Sequence, residues 1–314
     1  MANALTNLED RALLQFHNAL DAEPSIVESV GFVREDKTAS VEIGTQHLEH
    51  AIGNFSGSAP SATDVNTYKV SHSSQARAGV ISFTRKEIMD ATQANGLNQL
   101  VDRSVAMLAA QARADENRAF VQGLNALFTT AHPLDADLAE ASAKYLGATL
   151  TRTGIGPGGG NVVVKNLLTT PFSESAYSTA RQRLLEQTNW SGDPMGLREP
   201  FVLVVSPKNE KLARQVIGSP AIDQSASNPQ GYINVYGGTS IVVTSELTDD
   251  DDWFLIKRGL LDGGLGSPVG LWRRQAPMIQ IREDDMYTTK IELYMDRAFI
   301  YTPDGLGIIG SNVA

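Results

Sequence analysis

The chain has 314 residues, 42% of them hydrophobic, which is enough to bury a core in one large domain or two closely joined ones. Its formal net charge of -10 and sequence pI near 5.0 exclude a protein that grips nucleic acid through a broad basic face. It contains no cysteine, so a disulfide framework, a thiolate zinc site, an iron–sulfur cluster and a cysteine nucleophile are excluded together.

The first residues carry Glu9 and Asp10 where a signal peptide needs a basic end and an apolar block, and no apolar run approaches a membrane span. A soluble, unprocessed cytosolic product is expected. Thr6 with Glu9 fits a capping box, and Leu13, Phe16 and Leu20 form a short apolar stripe that Pro24 closes. This predicts a small amphipathic helix that docks on its own chain, since alone it buries too little to persist.

Val41 to Ile43 alternates like the start of a strand, and then Gly44, Gly53, Gly57, Pro60 and several serines break the pattern. Alternation returns at Tyr68 to Val70 and at Val80 to Phe83. Two strand-like stretches around a glycine- and serine-rich interval predict a long hairpin or arm that has no core of its own and needs a partner. Thr84 and Glu87 form a second capping box, for a short helix through Met89 that ends before Asn95-Gly96.

The stretch from Asn95 to Phe128 organises the rest. Leu97, Leu100, Val101, Val105, Leu108, Ala112, Phe120, Leu124 and Phe128 recur at helical spacing with no intervening proline. The pattern predicts a spine helix of roughly 30 residues, about 45 Å long. Its middle is rich in alanine, which favours helix and lets another backbone come close. Arg103, Arg113, Asp115, Glu116 and Arg118 are placed mostly on the water side.

His132-Pro133 ends the spine. Gly154, Gly156 and Gly159 satisfy a literal G-x-G-x-x-G, but Asn161-Val162-Val163-Val164 follows and favours a strand, whereas a pyrophosphate site needs a helix N-terminus there. A flexible glycine turn is expected. Thr170-Pro171 opens a helix bearing Phe172, Ala176, Tyr177, Ala180 and Leu184 on one side. Phe201 to Val205 reads as a strand covered on both faces, and Ser206-Pro207 starts a helix that stops at Gly218. Ile241 to Val243 and Trp253 to Ile256 read as further buried strands, separated by a solvated turn at Asp249 to Asp252. After the glycine-rich stretch from Gly263 to Gly270, strands are expected at Met278 to Ile281, Thr289 to Met295 and Phe299 to Tyr301. Ile291, Leu293 and Met295 share one face, placed to pack on the spine.

Chemistry is sparse. The five histidines are His17, His47, His50, His72 and His132, and only His47 and His50 are close in sequence, with no third ligand indicated. No nucleophile elbow, phosphate-loop lysine or H-E-x-x-H motif is present. Neither a catalytic set nor a metal or cofactor site is expected.

Four patches occur in a telling order: Phe83-Thr84-Arg85-Lys86-Glu87-Ile88; Phe201-Val202-Leu203-Val204-Val205-Ser206-Pro207 with Leu212-Ala213-Arg214; Asp252-Trp253-Phe254-Leu255; and Arg274-Gln275-Ala276-Pro277. With the arm, hairpin, spine, α/β region and closing sheet, this order resembles the tailed-bacteriophage major capsid fold of the Hong Kong 97 type, most like the Mu-like major head subunit family. The likeness covers about Arg77 to Phe128 and Phe201 to Tyr301, and departs at Gly154 to Gly160 and Leu260 to Leu271.

The resemblance implies an α+β fold with an N-terminal helix and arm (1–43), an extended loop (44–83), a peripheral domain with the spine (84–171), an axial domain (172–271) and terminal strands returning to the peripheral domain (272–314). It implies a head protein, not an enzyme, that assembles through pentamers and hexamers into an icosahedral shell around double-stranded DNA, in the host cytoplasm. Phe55, Tyr68, Lys69, Arg77, Trp272 and Arg273 are the expected subunit contacts. A separate scaffold is expected because only about 90 residues precede the spine. A portal and a decoration protein are further expected partners; DNA would be held weakly and without sequence specificity, and no membrane is involved. Lys69 alone does not establish cross-linking. The alternatives are an encapsulin-like nanocompartment shell and, more distantly, an α/β enzyme holding a phosphate ligand at Gly154 to Gly160.

Overall fold

In the computed structural model, which describes residues 2–48, 65–84, 86, 87, 90, 97–153, 160–190, 192, 194–198, 200–218, 221, 222, 232–234, 236–259, 267–285 and 288–313, the chain opens with helices α1 (Ala2–Ala22) and α2 (Ile26–Val30). Strands β1 (Phe32–Glu35), β2 (Ser40–Leu48), β3 (Val65–Ser73) and β4 (Gln75–Thr84) lead to the spine, α3 (Leu97–Ala126). Then come β5 (Leu150–Arg152), β6 (Val162–Val164), β7 (Leu167–Leu168), α4 (Glu174–Leu185), β8 (Phe201–Val205) and α5 (Glu210–Gly218). Short strands β9 (Ala221–Ile222) and β10 (Tyr232–Ile233) precede β11 (Thr239–Val243) and β12 (Trp253–Lys257). Two long strands, β13 (Val269–Asp285) and β14 (Thr288–Tyr301), and a short one, β15 (Ile308–Ser311), complete the chain.

Two sheets carry the architecture, ordered β1-β13-β14-β4 and β11-β8-β12-β15-β7. The spine joins them. Its first half lays Val101, Val105, Leu108, Ala109 and Ala112 on Ile279, Ile281, Ile291, Leu293 and Met295 of the long sheet, with Ala12, Phe16 and Leu20 of α1 closing the same core. Each large aliphatic side chain buried there contributes about 1.5–3 kcal/mol. Its second half sets Phe120, Val121, Leu124 and Leu127 into a core shared with Val202, Val204, Phe254, Ile256 and Ile308 of the five-stranded sheet. The other face of that sheet meets α4 and α5 through Leu203, Val205, Trp253, Tyr177 and Val216, so β8 is covered on both sides. Gly123 lets the spine lie close against β14: a Cβ there would stand 2.1 Å from Phe299 Cγ.

Several local expectations need correction. Helix α1 begins at Ala2, so Thr6 lies inside it and is not a cap; Ala2, Ala4 and Leu5 are strong helix formers and carry the helix upstream. Gly44 does not break β2; it pairs with Lys69 in a register running from Ser40 with Ser73 to Leu48 with Val65. Helix α4 starts at Glu174, beyond Pro171, because the Ser173 hydroxyl accepts the Ala176 N–H at 3.2 Å and caps it. Strand β11 is a sheet edge with Ile241, Val242 and Val243 only half-buried. In the acidic turn Asp249 and Asp250 are exposed, but Asp252 is buried and accepts from Val313 N–H at 3.2 Å. The last strand, β15, joins the five-stranded sheet beside β12, not the long sheet. The Thr84 capping box is present: its N–H donates to Glu87 Oε2 at 2.7 Å and its hydroxyl accepts from Glu87 N–H at 3.3 Å. Asn95 and Gly154 to Gly159 lie outside the described residues.

Candidate assembly surfaces

The hairpin of β2 and β3 has a packed root. Val41 and Ile43 form a small core with Trp272 and Ile300, and the Trp272 indole N–H donates to Asp36 O at 2.9 Å. His72 adds an edge-on contact with Tyr301, ring centroids 4.8 Å apart, and burial lowers its pKa. The partner that a hairpin without a core of its own needs is supplied, at the root, by Trp272 and Ile300 of the same protomer. Trp272, expected at a subunit contact, is 0% exposed and serves the inside of its own protomer. Phe55 lies outside the described residues, and Tyr68 is placed by its backbone, opposite Thr45. Lys69 pairs with Glu42 at 3.3 Å with both side chains more than half exposed, a pair weak enough in water to exchange for another partner.

Charge is buried where the spine meets β13. Arg273 grips Glu116 through two bonds, Nε to Oε1 at 2.7 Å and Nη2 to Oε2 at 2.9 Å. Arg113 donates to Glu116 Oε2 at 3.2 Å and to Leu20 O at 3.1 Å. Burial opposes the charge of Arg273, but the bonds and charge of Glu116 outweigh it, so its pKa is raised. Arg113, Glu116 and Arg273 are thus spent on tying α1 and β13 to the spine. This corrects two expectations: Arg113 and Glu116 do not face water, and the Arg273 guanidinium is engaged at home. Their helix spacing carries no signal of this, because Arg273 is 157 positions from its partner.

A cleft of about 510 Å³ opens between the spine and the β3–β4 corner, lined among others by Arg77, Asp115, Arg118, Gln122 and Arg297. Arg297 donates twice to Asp115 Oδ2, and Arg118 reaches Glu246 at 3.3 Å. Arg77 is exposed, and no hydrogen bond or ion pair holds its side chain among the described residues. It stands on β4, the outer strand of the long sheet, opposite Met295.

The segment 302–307, which crosses from one sheet to the other, is held by side chains from distant parts of the chain. Tyr145 Oη donates to Thr302 O at 2.9 Å, Trp190 Nε1 to Asp304 O at 3.0 Å and Asn166 Nδ2 to Gly305 O at 2.9 Å, while Gly307 N–H donates to Gln187 Oε1 at 2.8 Å. A buried crossing needs such partners, since its backbone groups are cut off from water and from any ladder. Gly305 and Gly307 take the left-handed φ values of 67° and 77° that the turn requires. None of Asn166, Gln187 and Trp190 was legible in the sequence, because each works through backbone groups remote from it along the chain, Asn166 through those of Tyr145, Gly147 and Gly305.

Among the described residues no group of three or more His, Cys, Asp and Glu is placed to hold a metal, and no helix is long and apolar enough to cross a membrane. Strand β6 follows Gly160 where a nucleotide fingerprint requires a helix.

A family model described as phage capsid protein matches residues 67–309. No curated protein sequence matches the chain. Among solved structures it is similar to the capsid of cyanophage A-1(L), with 13% identity, TM-score 0.54 and coverage of 95% of this chain and 92% of that one. It is similar to a Mycobacterium phage Patience chain at 14% identity and TM-score 0.52, covering 99% and 88% respectively. The SrpI encapsulin of Synechococcus elongatus PCC 7942 is a further neighbour, at 10% identity and TM-score 0.54, covering 92% and 89%. At these identities the likeness is one of fold; the narrower likeness to Mu-like head subunits rests on the sequence patches alone.

Proposed function

This chain belongs to the phage capsid protein family, and from that premise we propose how its surfaces serve a shell. It is a major capsid protein of the virion head, with a structural role and the Hong Kong 97-type fold, whose copies assemble into capsomers and a closed capsid. Our reading assigns the spine and the long sheet to a peripheral domain and the five-stranded sheet with α4 and α5 to an axial domain near the capsomer centre. Because β15 pairs with β12, the axial unit takes back the end of the chain. The capsomers are pentamers and hexamers, assembled in the host cytoplasm around a separate scaffold and closed by a portal, with room for a decoration protein. The packaged DNA touches the lining weakly, as a net charge of -10 favours.

The observation that carries this reading is the β2–β3 hairpin, whose described packing lies at its root on Trp272 while its strands run on for nine residues each. Strands with unpaired edges acquire partners from other chains. Tyr68, Lys69 and Arg77 stay in the contact set; Trp272 and Arg273 act as anchors behind it.

Replacing residues 49–64 by a short turn keeps the pairing of Leu48 with Val65 and removes the tip. The shortened chain is expected to fold, with the unfolding midpoint of the intact subunit, and to stop at capsomers or free subunits in the electron microscope. Normal shells from the shortened chain would overturn the role of the arm. The fold likeness to an encapsulin leaves one more distinction to draw, between genome and protein cargo, and the contents of purified shells draw it: nucleic acid supports the present reading and a co-purifying enzyme the nanocompartment.

A further inference from the structure

Strand β4 is an exposed edge without the usual protection. Over Gln75–Thr84 it pairs with β14 alone, leaving its outer row of N–H and C=O groups open among the described residues except at Thr84, whose N–H Glu87 accepts. Solitary edges are normally blunted by proline, bulges or repeated charges. Here the ten residues hold no proline, the pairing to β14 runs from Gln75 to Thr84 without a register shift, and Arg77 is the one charge. Alternation gives the edge two chemical sides. On the spine side Arg77 looks onto the cleft shared with Arg118 and Arg297, where Asp115 is the one lining carboxylate. On the other side Val80 is 56% exposed, beside Tyr294 at 45% and Met278 at 41%, which face each other across β13 and β14.

We infer that the β4 edge with its arginine cleft is a strand-addition site for an acidic, extended segment of a second copy of this chain. The inference rests on the shell reading and names the contact. Backbone pairing supplies the register, as in other cases where an extended segment joins a sheet edge. A carboxylate on the incoming strand meets Arg77 and competes for Arg118, whose pair with Glu246 is exposed. Small and apolar side chains on the alternate positions cover Ala78, Val80 and Tyr294. A second copy fits because the chain carries 36 acidic residues against 26 basic ones, so a cationic cleft on an acidic subunit is complementary to its own surface.

The test uses the full-length chain in an assembly titration read by sedimentation and microscopy. Arg77→Glu is expected to leave the free subunit folded and to raise the concentration for half-assembly by about tenfold or more, since the contact repeats in every copy. Arg77→Lys should stay near the parent. A photo-cross-linking benzoylphenylalanine in place of Ala78 should join two copies in shells but not in dissociated subunits, with Asp or Glu in the captured peptide. Arg77→Glu assembling like the parent, or a cross-link confined to one copy or captured by nucleic acid, overturns the inference while leaving the shell reading intact. An unaltered chain that forms no shell in the same titration, even with the neighbouring genes that would supply a scaffold co-expressed, overturns the shell reading and this inference with it.

Discussion

His132 is the residue whose chemistry is most altered by the fold. It stacks on Tyr145 and meets Trp190 edge-on, each at 5.8 Å between ring centroids, and it is 2% exposed. Its Nδ1 accepts the Leu134 N–H at 3.1 Å, so the neutral ring carries its proton on Nε2, facing the Gly305 turn. Burial pushes its pKa down to about 4, against an opposing pull from Asp135. The native state thus keeps the ring neutral while the unfolded chain protonates it near 6.5, and stability is whole above that pH and lost as pH falls toward 4. The full effect is about 3 kcal/mol. Asp304 works the other way, because burial raises its pKa and the native state favours its protonated form. A His132→Phe variant separates the two: thermal unfolding from pH 7 to 4 should show a shallower loss of stability than the parent, and an unchanged slope would contradict the assignment. At this scale little was legible. His132 read as a helix stop, and Glu116 as a solvated charge, because the groups that define them arrive from far along the chain.

Among elements, periodic ones could be read and mixed ones could not. The spine, β8, β12 and the apolar face of β14 declare themselves, since Val101, Val105 and Leu108, the Phe201 to Val205 run, and Ile291, Leu293 and Met295 repeat at the period of their structures. The hairpin root escaped notice because Val41 and Ile43 are just two apolar residues, and their partner Trp272 lies beyond the axial region. That root makes its own prediction. Trp272→Ala removes an enclosed indole and its bond to Asp36, costing about 3–5 kcal/mol if the site does not collapse. Hydrogen exchange should show the amides of β2 and β3 opening faster while those in the middle of the spine, held by Leu108 and Ala112, change far less. Uniform loss of protection across the spine would mean that Trp272 supports the whole fold and not the arm.

Among the described residues two principal sheets are fastened to the spine helix, with a buried crossing at 302–307 and a hairpin rooted on one side. Its order of parts was readable before any contact was known, because the spine sets where each sheet must lie. The destination of β15 was not, since four residues from Ile308 to Ser311 carry too little pattern to choose between sheets. An open strand edge, a basic cleft on an acidic surface and an arm anchored at its root suit repetition in a lattice. The most direct test is sedimentation and electron microscopy of the purified chain, alone and after expression with the neighbouring genes that would supply a scaffold. Pentamers and hexamers that convert to closed shells are the result this account predicts; a monomer or dimer that persists even with those partners would contradict it.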